Sequence, residues 1–181
     1  VTPYPRQMVA SMVPGFVAGH YALDACAIPL EPLVQRSGIR IVGPNCFGVL
    51  SVPHNYPGMA GSYPTMPPGK LSLAFQSGGL ALNMVQMCVD RHIGMAHVIS
   101  SGNETDLEFA DCLEFFADDA HTQVIGCFVE QFRHPDKFLA AADKCAVARK
   151  PLVMLKVGRS AAGQRAAQAH TGALAGSDSI I

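Results

Sequence analysis

The stretch Pro68-Gly69-Lys70-Leu71-Ser72-Leu73-Ala74-Phe75-Gln76-Ser77-Gly78-Gly79-Leu80-Ala81 decides the fold class. Residues 71–75 form a short apolar run, long enough for a buried strand and too short for a helix. Gln76-Ser77-Gly78-Gly79 is turn chemistry, and residues 80–92 read as a helix with Leu82, Val85, Met87 and Val89 on its apolar face. The same unit recurs downstream. Residues 95–99 read as a strand closed by Ser100-Ser101-Gly102-Asn103, and 106–117 as a helix. Residues 124–129 read as a strand ending at Glu130, 135–149 as a helix and 152–157 as a fourth strand. Pro135 opens its helix at the position where a missing N–H does least harm. This alternation predicts an α/β fold, a parallel sheet with crossover helices. Ligands of such sheets bind beyond the carboxyl ends of the strands, so the residues following each strand are the candidates for function.

Working toward the amino terminus, residues 52–69 carry Pro53, Pro57, Pro64, Pro67 and Pro68 without convincing periodicity, the composition of an ordered linker. Before it, residues 8–13 are apolar. A helical stretch from about residue 20 to 36 is disturbed by Pro29 and Pro32 and stopped by Gly38. Residues 39–42 then read as a buried strand running into Gly43-Pro44-Asn45-Cys46. The expected division is the end of one α/β unit at 1–51, a Pro-rich linker at 52–69 and a second α/β domain at 70–181. A start without Met and an end in mid-pattern at Ser177-Asp178-Ser179-Ile180-Ile181 give the further expectation of a piece of a longer polypeptide.

Composition narrows the function classes. Of 181 residues 49% are apolar and only 15% charged, which supplies a packed core and does not fit a disordered chain. Thirteen Lys and Arg against 14 Asp and Glu leave a net charge of −1, so no overall field draws the chain to a nucleic-acid backbone or an anionic membrane. No apolar run approaches the roughly 18 residues of a membrane span, and a soluble cytoplasmic protein is expected. The six cysteines lie 15 or more residues apart with no C-x-x-C, which matches neither a zinc framework nor a dithiol redox motif. Reduced, mostly buried thiols are expected, and no metal site is read from the sequence.

Three segments have the residue types for chemistry. Gln76-Ser77-Gly78-Gly79 leads straight into a helix, where small residues, free N–H groups and the helix dipole suit a phosphate. An N-cap Ser with a glycine for a tight turn accounts for the same residues. The P-loop pattern G-x-x-x-x-G-K-[ST] and G-x-G-x-x-G are both absent. The second segment, 156–173, is almost all small residues around Arg159, Arg165 and His170. A histidine that must be reached from more than one side suits such surroundings, and a carboxylate at its other ring nitrogen would fix its tautomer; Glu130 is the candidate. An exposed loop histidine without a role is the alternative. The third, Gly43-Pro44-Asn45-Cys46-Phe47-Gly48, is either a rigid turn or a turn whose Asn45 meets a ligand. Cys46 has no basic neighbour in sequence to activate it.

Together these segments resemble the NDP-forming acyl-CoA synthetases, the family of succinyl-CoA synthetase and the ADP-forming acetyl-CoA synthetases. The features run in the family's order: GPNC (43–46), PGKLSLAFQSGGLA (68–81), ISSGNETD (99–106), FVEQF (128–132), KPLVMLKVGRS (150–160) and AHTGALAG (169–176). The resemblance implies the end of a Rossmann-like CoA-binding domain followed by a flavodoxin-like ligase domain. It implies that His170 is phosphorylated and supported by Glu130, that Gln76, Ser77, Gly78 and Gly79 steady the phosphoryl group, and that Asn45, Cys46 and Phe47 lie near the CoA thiol and acyl group. CoA, phosphate and a small carboxylic acid are the implied substrates. ATP or ADP and Mg2+ are implied through an ATP-grasp domain or subunit that this chain does not contain, and an oligomer is expected. Ala169 stands where many relatives have Ser, and Phe47 where a smaller or unbranched residue is common, a change placed to reshape the acyl pocket.

Two rival readings have discriminating features. A non-catalytic acyl-CoA-sensing domain attached to a protein acetyltransferase has no need of the nucleophile, so His170 together with Glu130 argues against it. A flavodoxin-like signalling module does not explain the series from GPNC to HTGA.

Overall fold

The computed structural model describes residues 6–8, 27–29, 35–59 and 65–158. Two short strands, β1 (Arg6–Met8) and β2 (Ala27–Pro29), pair antiparallel. The helix expected over residues 20–36 is therefore not continuous: an extended segment ends at Pro29, whose missing N–H suits the end of a strand better than a helix interior.

The main body is a six-stranded sheet in the order β4-β3-β6-β5-β7-β8. Its members are β3 (Gly48–Ser51), β4 (Tyr56–Met59), β5 (Pro68–Phe75), β6 (Met95–Ser100), β7 (Val124–Val129) and β8 (Leu152–Lys156). The last four run parallel, connected by α1 (Gly78–Asp90), α2 (Phe109–Asp118) and α3 (Pro135–Val147). In chain order these four strands lie 2-1-3-4, the doubly wound flavodoxin-like arrangement. β3 and β4 add an antiparallel hairpin to the β6 edge. Residues 48–51, assigned to the preceding unit by sequence, thus pair with β6, and 56–59, inside the stretch read as linker, form the edge strand.

Both faces of the sheet are covered, which accounts for the apolar runs of its central strands. Alternating residues separate into two cores. Leu73 and Phe75 face Ala81, Val85 and Cys88 of α1, together with Met95, Val98 and Phe128. Ala74, Ile99, Ile125, Cys127 and Val129 pack with Phe109, Leu113 and Phe116 of α2 and with Phe138, Ala141 and Cys145 of α3. The buried line of α1 is Ala81, Val85 and Cys88, at the i, i+4, i+7 spacing of one helix face, whereas Met87 lies off that line and is exposed. Residues 39–42 do not form a buried strand. Ile39 is exposed, and the segment runs beside 105–107, held by Leu107 N–H to Ile41 C=O (3.1 Å), Ile41 N–H to Asp106 Oδ2 (2.8 Å) and one parallel bridge, Val42 to Leu107. The five described cysteines are free; Cys46 is half-buried and the other four are buried. Among the described residues no helix is long and apolar enough to cross a membrane.

Candidate functional site

The chain leaves β5 for β6 on one side and returns to β7 on the other, so the carboxyl ends of β5 and β7 define the switch point where open sheets bind ligands. Gln76 and Glu130 are the first residues beyond those ends. The Gln76 side chain bridges them: Oε1 accepts from Glu130 N–H (2.6 Å) and Gln131 N–H (3.0 Å), and Nε2 donates to Gln131 C=O (2.8 Å). Glu130 is buried, and its carbonyl accepts from Lys156 Nζ at 2.9 Å, the same ammonium donating to Val157 C=O. The backbone of Glu130 is thereby held at its N–H from β5 and at its C=O from β8.

Ser77 is the N-cap of α1, with extended backbone and Oγ accepting from Leu80 N–H at 3.4 Å. Gly78 and Gly79 follow as the first helical residues, whose N–H groups have no intrahelical acceptor and point where the dipole favours negative charge. A Cβ on Gly79 would meet nothing within 4 Å, so this corner is open. A Cβ on Gly78 would lie 3.1 Å from Phe47 N. The structure therefore brings two of the sequence-selected segments together, the 43–48 turn resting on the start of α1.

That turn is in turn fastened to the loop after β6. Phe47 N–H donates to Ser100 Oγ (3.1 Å), Asn103 N–H to Pro44 C=O (2.8 Å), Thr105 N–H to Gly43 C=O (2.8 Å) and Asn45 Nδ2 to Asn103 Oδ1 (3.3 Å). Gly102 has φ +58°, and a Cβ there would sit 2.3 Å from Pro44 O, so this close approach requires glycine. Cys46 Sγ faces Val42 C=O at 3.6 Å, and burial pushes its thiol up, away from a reactive thiolate. His170 lies outside the described residues.

Sequence reading missed three charged groups at this end of the sheet. Glu104, 2% exposed, accepts at Oε1 from Ser101 Oγ (2.7 Å), Gln76 Nε2 (3.0 Å) and Phe109 N–H (3.0 Å). Arg133 Nε stands 3.6 Å from Glu104 Oε2, and its guanidinium donates to Asn103 C=O. Burial pushes the Glu104 carboxyl up to about 7, while Ser101, Gln76 and Arg133 act the other way. Lys156 is the third. The available signal was position alone: Glu104 follows a Gly102-Asn103 turn after a strand, and Lys156 ends an apolar strand.

Of the histidines assigned no role, His97 is buried against Asp119 (Nε2 to Oδ2, 3.1 Å), in a chain that continues through Thr122 to Ser72 away from the switch point. Among the described residues no group of three or more His, Cys, Asp or Glu side chains is arranged to hold a metal.

A doubly wound sheet of order 2-1-3-4, with a capped helix start and a clamped carboxylate-bearing loop at its switch point, defines a flavodoxin-like domain. Residues 68–181 match the family model described as the succinyl-CoA ligase like flavodoxin domain, and the chain belongs to that family. Among its relatives, the alpha subunit of ADP-forming acetate–CoA ligase I from Pyrococcus furiosus is 38% identical over 151 residues, 83% of this chain and 32% of that protein. The ADP-forming acetate–CoA ligase of Methanocaldococcus jannaschii is 35% identical over 163 residues, 90% of this chain and 22% of that protein. A solved structure of dinucleotide forming acetyl-coenzyme A synthetase 1 from Ca. Korarchaeum cryptofilum, in complex with phosphate and ADP, superposes with a TM-score of 0.75 at 35% identity, covering 83% of this chain and 33% of that one. The chain thus spans about a third or less of the length of these relatives.

Proposed function

We propose that the chain is part of an ADP-forming acid–CoA ligase, interconverting acyl-CoA, ADP and phosphate with a small carboxylic acid, CoA and ATP. The observation that carries this reading is the meeting of Gln76-Ser77-Gly78-Gly79 with the Glu130 loop at the switch point of a domain of this family. A phosphate oxygen attacks the thioester carbonyl and the C–S bond breaks, giving acyl phosphate and CoA. A ring nitrogen of His170 attacks phosphorus, and the P–O bond to the acyl group breaks, releasing the carboxylate. An oxygen of ADP then attacks the phosphohistidine and the P–N bond breaks, forming ATP. Splitting the transfer in two lowers each barrier.

In this scheme the carboxylate of Glu130 takes the second ring N–H of His170 and fixes its tautomer. The first N–H groups of α1 offset the charge of the travelling phosphoryl group in a fixed arrangement. Asn45, Cys46 and Phe47 line the acyl and thiol end, with Phe47 setting the space left for the acid. Residues 1–51 supply the end of the CoA-binding domain, joined to the ligase domain at 70–181. ATP, ADP and Mg2+ bind through an ATP-grasp domain or subunit, and the described residues supply no metal-ligand cluster of their own. The setting is cytoplasmic and the working enzyme an oligomer.

Labelled phosphate from ATP, followed in the full-length enzyme, tests the reading: wild type becomes labelled and His170→Asn does not. Label retained by His170→Asn overturns it. A panel of acids assayed by CoA-dependent ADP release then identifies the substrate.

A further inference from the structure

We infer that Glu104 is a positioning residue of the phosphotransfer site, holding the Gln76 carboxamide in the one orientation that places the Glu130 loop. The inference rests on the functional reading above for its consequence in catalysis, and on geometry for its mechanism.

The Gln76 amide has two faces of unlike chemistry. Its oxygen meets two backbone donors, Glu130 N–H and Gln131 N–H, and its nitrogen meets two acceptors, Gln131 C=O and Glu104 Oε1. Rotating the amide by half a turn would set NH2 against two N–H groups and the oxygen against a carbonyl and a carboxylate, losing every bond. Three of these partners belong to the loop that is being placed. Glu104, reached from the loop after β6, is the only one of the four that does not move with Glu130 and Gln131. It gives the amide a reference point outside that loop.

Glu104 is itself held firmly. Ser101 Oγ and Phe109 N–H share Oε1 with Gln76, and Arg133 lies beyond Oε2. Its backbone has φ +55°, a conformation uncommon for a residue with a side chain. A buried carboxylate costs several kcal/mol to desolvate unless well partnered, so packing alone does not account for a glutamate here. Its value to the site is that Oε1, which already takes Ser101 Oγ–H and Phe109 N–H, faces Gln76 only as an acceptor even when the carboxyl carries a proton on Oε2, and this leaves Gln76 no alternative orientation.

The experiment uses the full-length enzyme with Glu104→Ala, Glu104→Asp and Glu104→Gln. Alanine removes the acceptor, aspartate withdraws it while keeping the charge beside Arg133, and glutamine keeps an acceptor oxygen in reach. Amide exchange at Glu130 and Gln131 is expected to quicken by about tenfold or more in the alanine and aspartate variants, with Ile125 and Cys127 of β7 unchanged, and to return toward wild type in Glu104→Gln. In the same variants kcat falls by about tenfold with KM for CoA held within about threefold, and Glu104→Gln recovers much of it. If Glu104→Ala does not fold, Glu104→Asp carries the comparison. Unchanged exchange at Glu130 and Gln131, or equal quickening along all of β7, overturns the inference. Wild type without phosphotransfer overturns the functional reading, while the exchange measurement still decides the role of Glu104 in placing the loop.

Discussion

Gln76 Oε1 accepts the backbone N–H of Glu130 at 2.6 Å, so a side chain from the end of β5 fixes the first residue beyond β7. Glu130 donates to that oxygen in a buried setting and Gln131 in a half-buried one, and deleting it removes the acceptor of both. Gln76→Ala is expected to cost about 2–3 kcal/mol. Urea midpoints measure this, and an unchanged midpoint removes the clamp from the account of the site. In the full-length enzyme the variant is expected to lose phosphohistidine formation more steeply than affinity for CoA.

Two glycines near the site have opposite expectations. Gly102 has φ +58° and its added methyl would meet Pro44 O at 2.3 Å, so Gly102→Ala is expected to destabilise by about 2 kcal/mol or more. Gly79 has open space around its Cβ position and lies in a helix, so Gly79→Ala is expected to leave stability unchanged or raise it by up to about 1 kcal/mol. The methyl would nevertheless occupy the space in front of the helix start. Thermal melts paired with phospho-enzyme yield separate the two: Gly79→Ala keeps its melting temperature and loses yield. Full yield with an intact fold would show that phosphate does not use this corner.

The central parallel strands were legible because strands covered on both faces are apolar runs, and Ser, Gly or Asn follow the first two within three residues. Val124–Val129 has the same bounds in sequence and structure for this reason. The β3–β4 hairpin was not legible: β4 contains Pro57 and Gly58, and Tyr56 is exposed, so nothing local separates it from a linker. Only the pairing of β3 with β6, whose residues lie far along the chain, brings the hairpin into the sheet. The site divides in the same way. Gln76 and Glu130 stand immediately after strands, a position that singles them out in the sequence. Glu104 acts through Gln76, 28 residues away, and through a left-handed backbone turn, neither of which leaves a pattern in the sequence.

His97 predicts an acid-sensitive edge remote from the switch point. Burial holds its pKa below the ordinary value, with Asp119 opposing and His54 and His121 adding to the effect. A histidine depressed in the fold binds its proton more readily when unfolded, so its stabilising contribution is present at neutral pH and declines as pH falls below its unfolded pKa. Thermal melts of the full-length protein from about pH 7 to pH 5 should show this decline, and His97→Gln, which keeps a donor for Asp119, should flatten it. Parallel melting curves for the two proteins would place the acid sensitivity elsewhere.

Glu104 predicts the opposite slope in a different window. Its carboxyl is pushed from an ordinary 4.5 up to about 7, because burial outweighs the Ser101, Gln76 and Arg133 contacts, with Glu108 at the start of α2 adding to the rise. The folded state therefore holds this proton where the unfolded chain has released it. Stability contributed by the protonated group is complete below about pH 4.5 and is lost as pH rises through about 7. A shift of this size corresponds to about 3 kcal/mol across the window. Glu104→Gln cannot release a proton, so its stability curve lacks this component, although Arg133 loses its charged neighbour. The measurable quantity is the wild-type minus Glu104→Gln difference in urea midpoint stability at several pH values from about 5 to 8, which should fall by roughly 3 kcal/mol as pH increases. A difference that stays constant across that range would mean that Glu104 titrates in the folded protein much as it does in the unfolded chain.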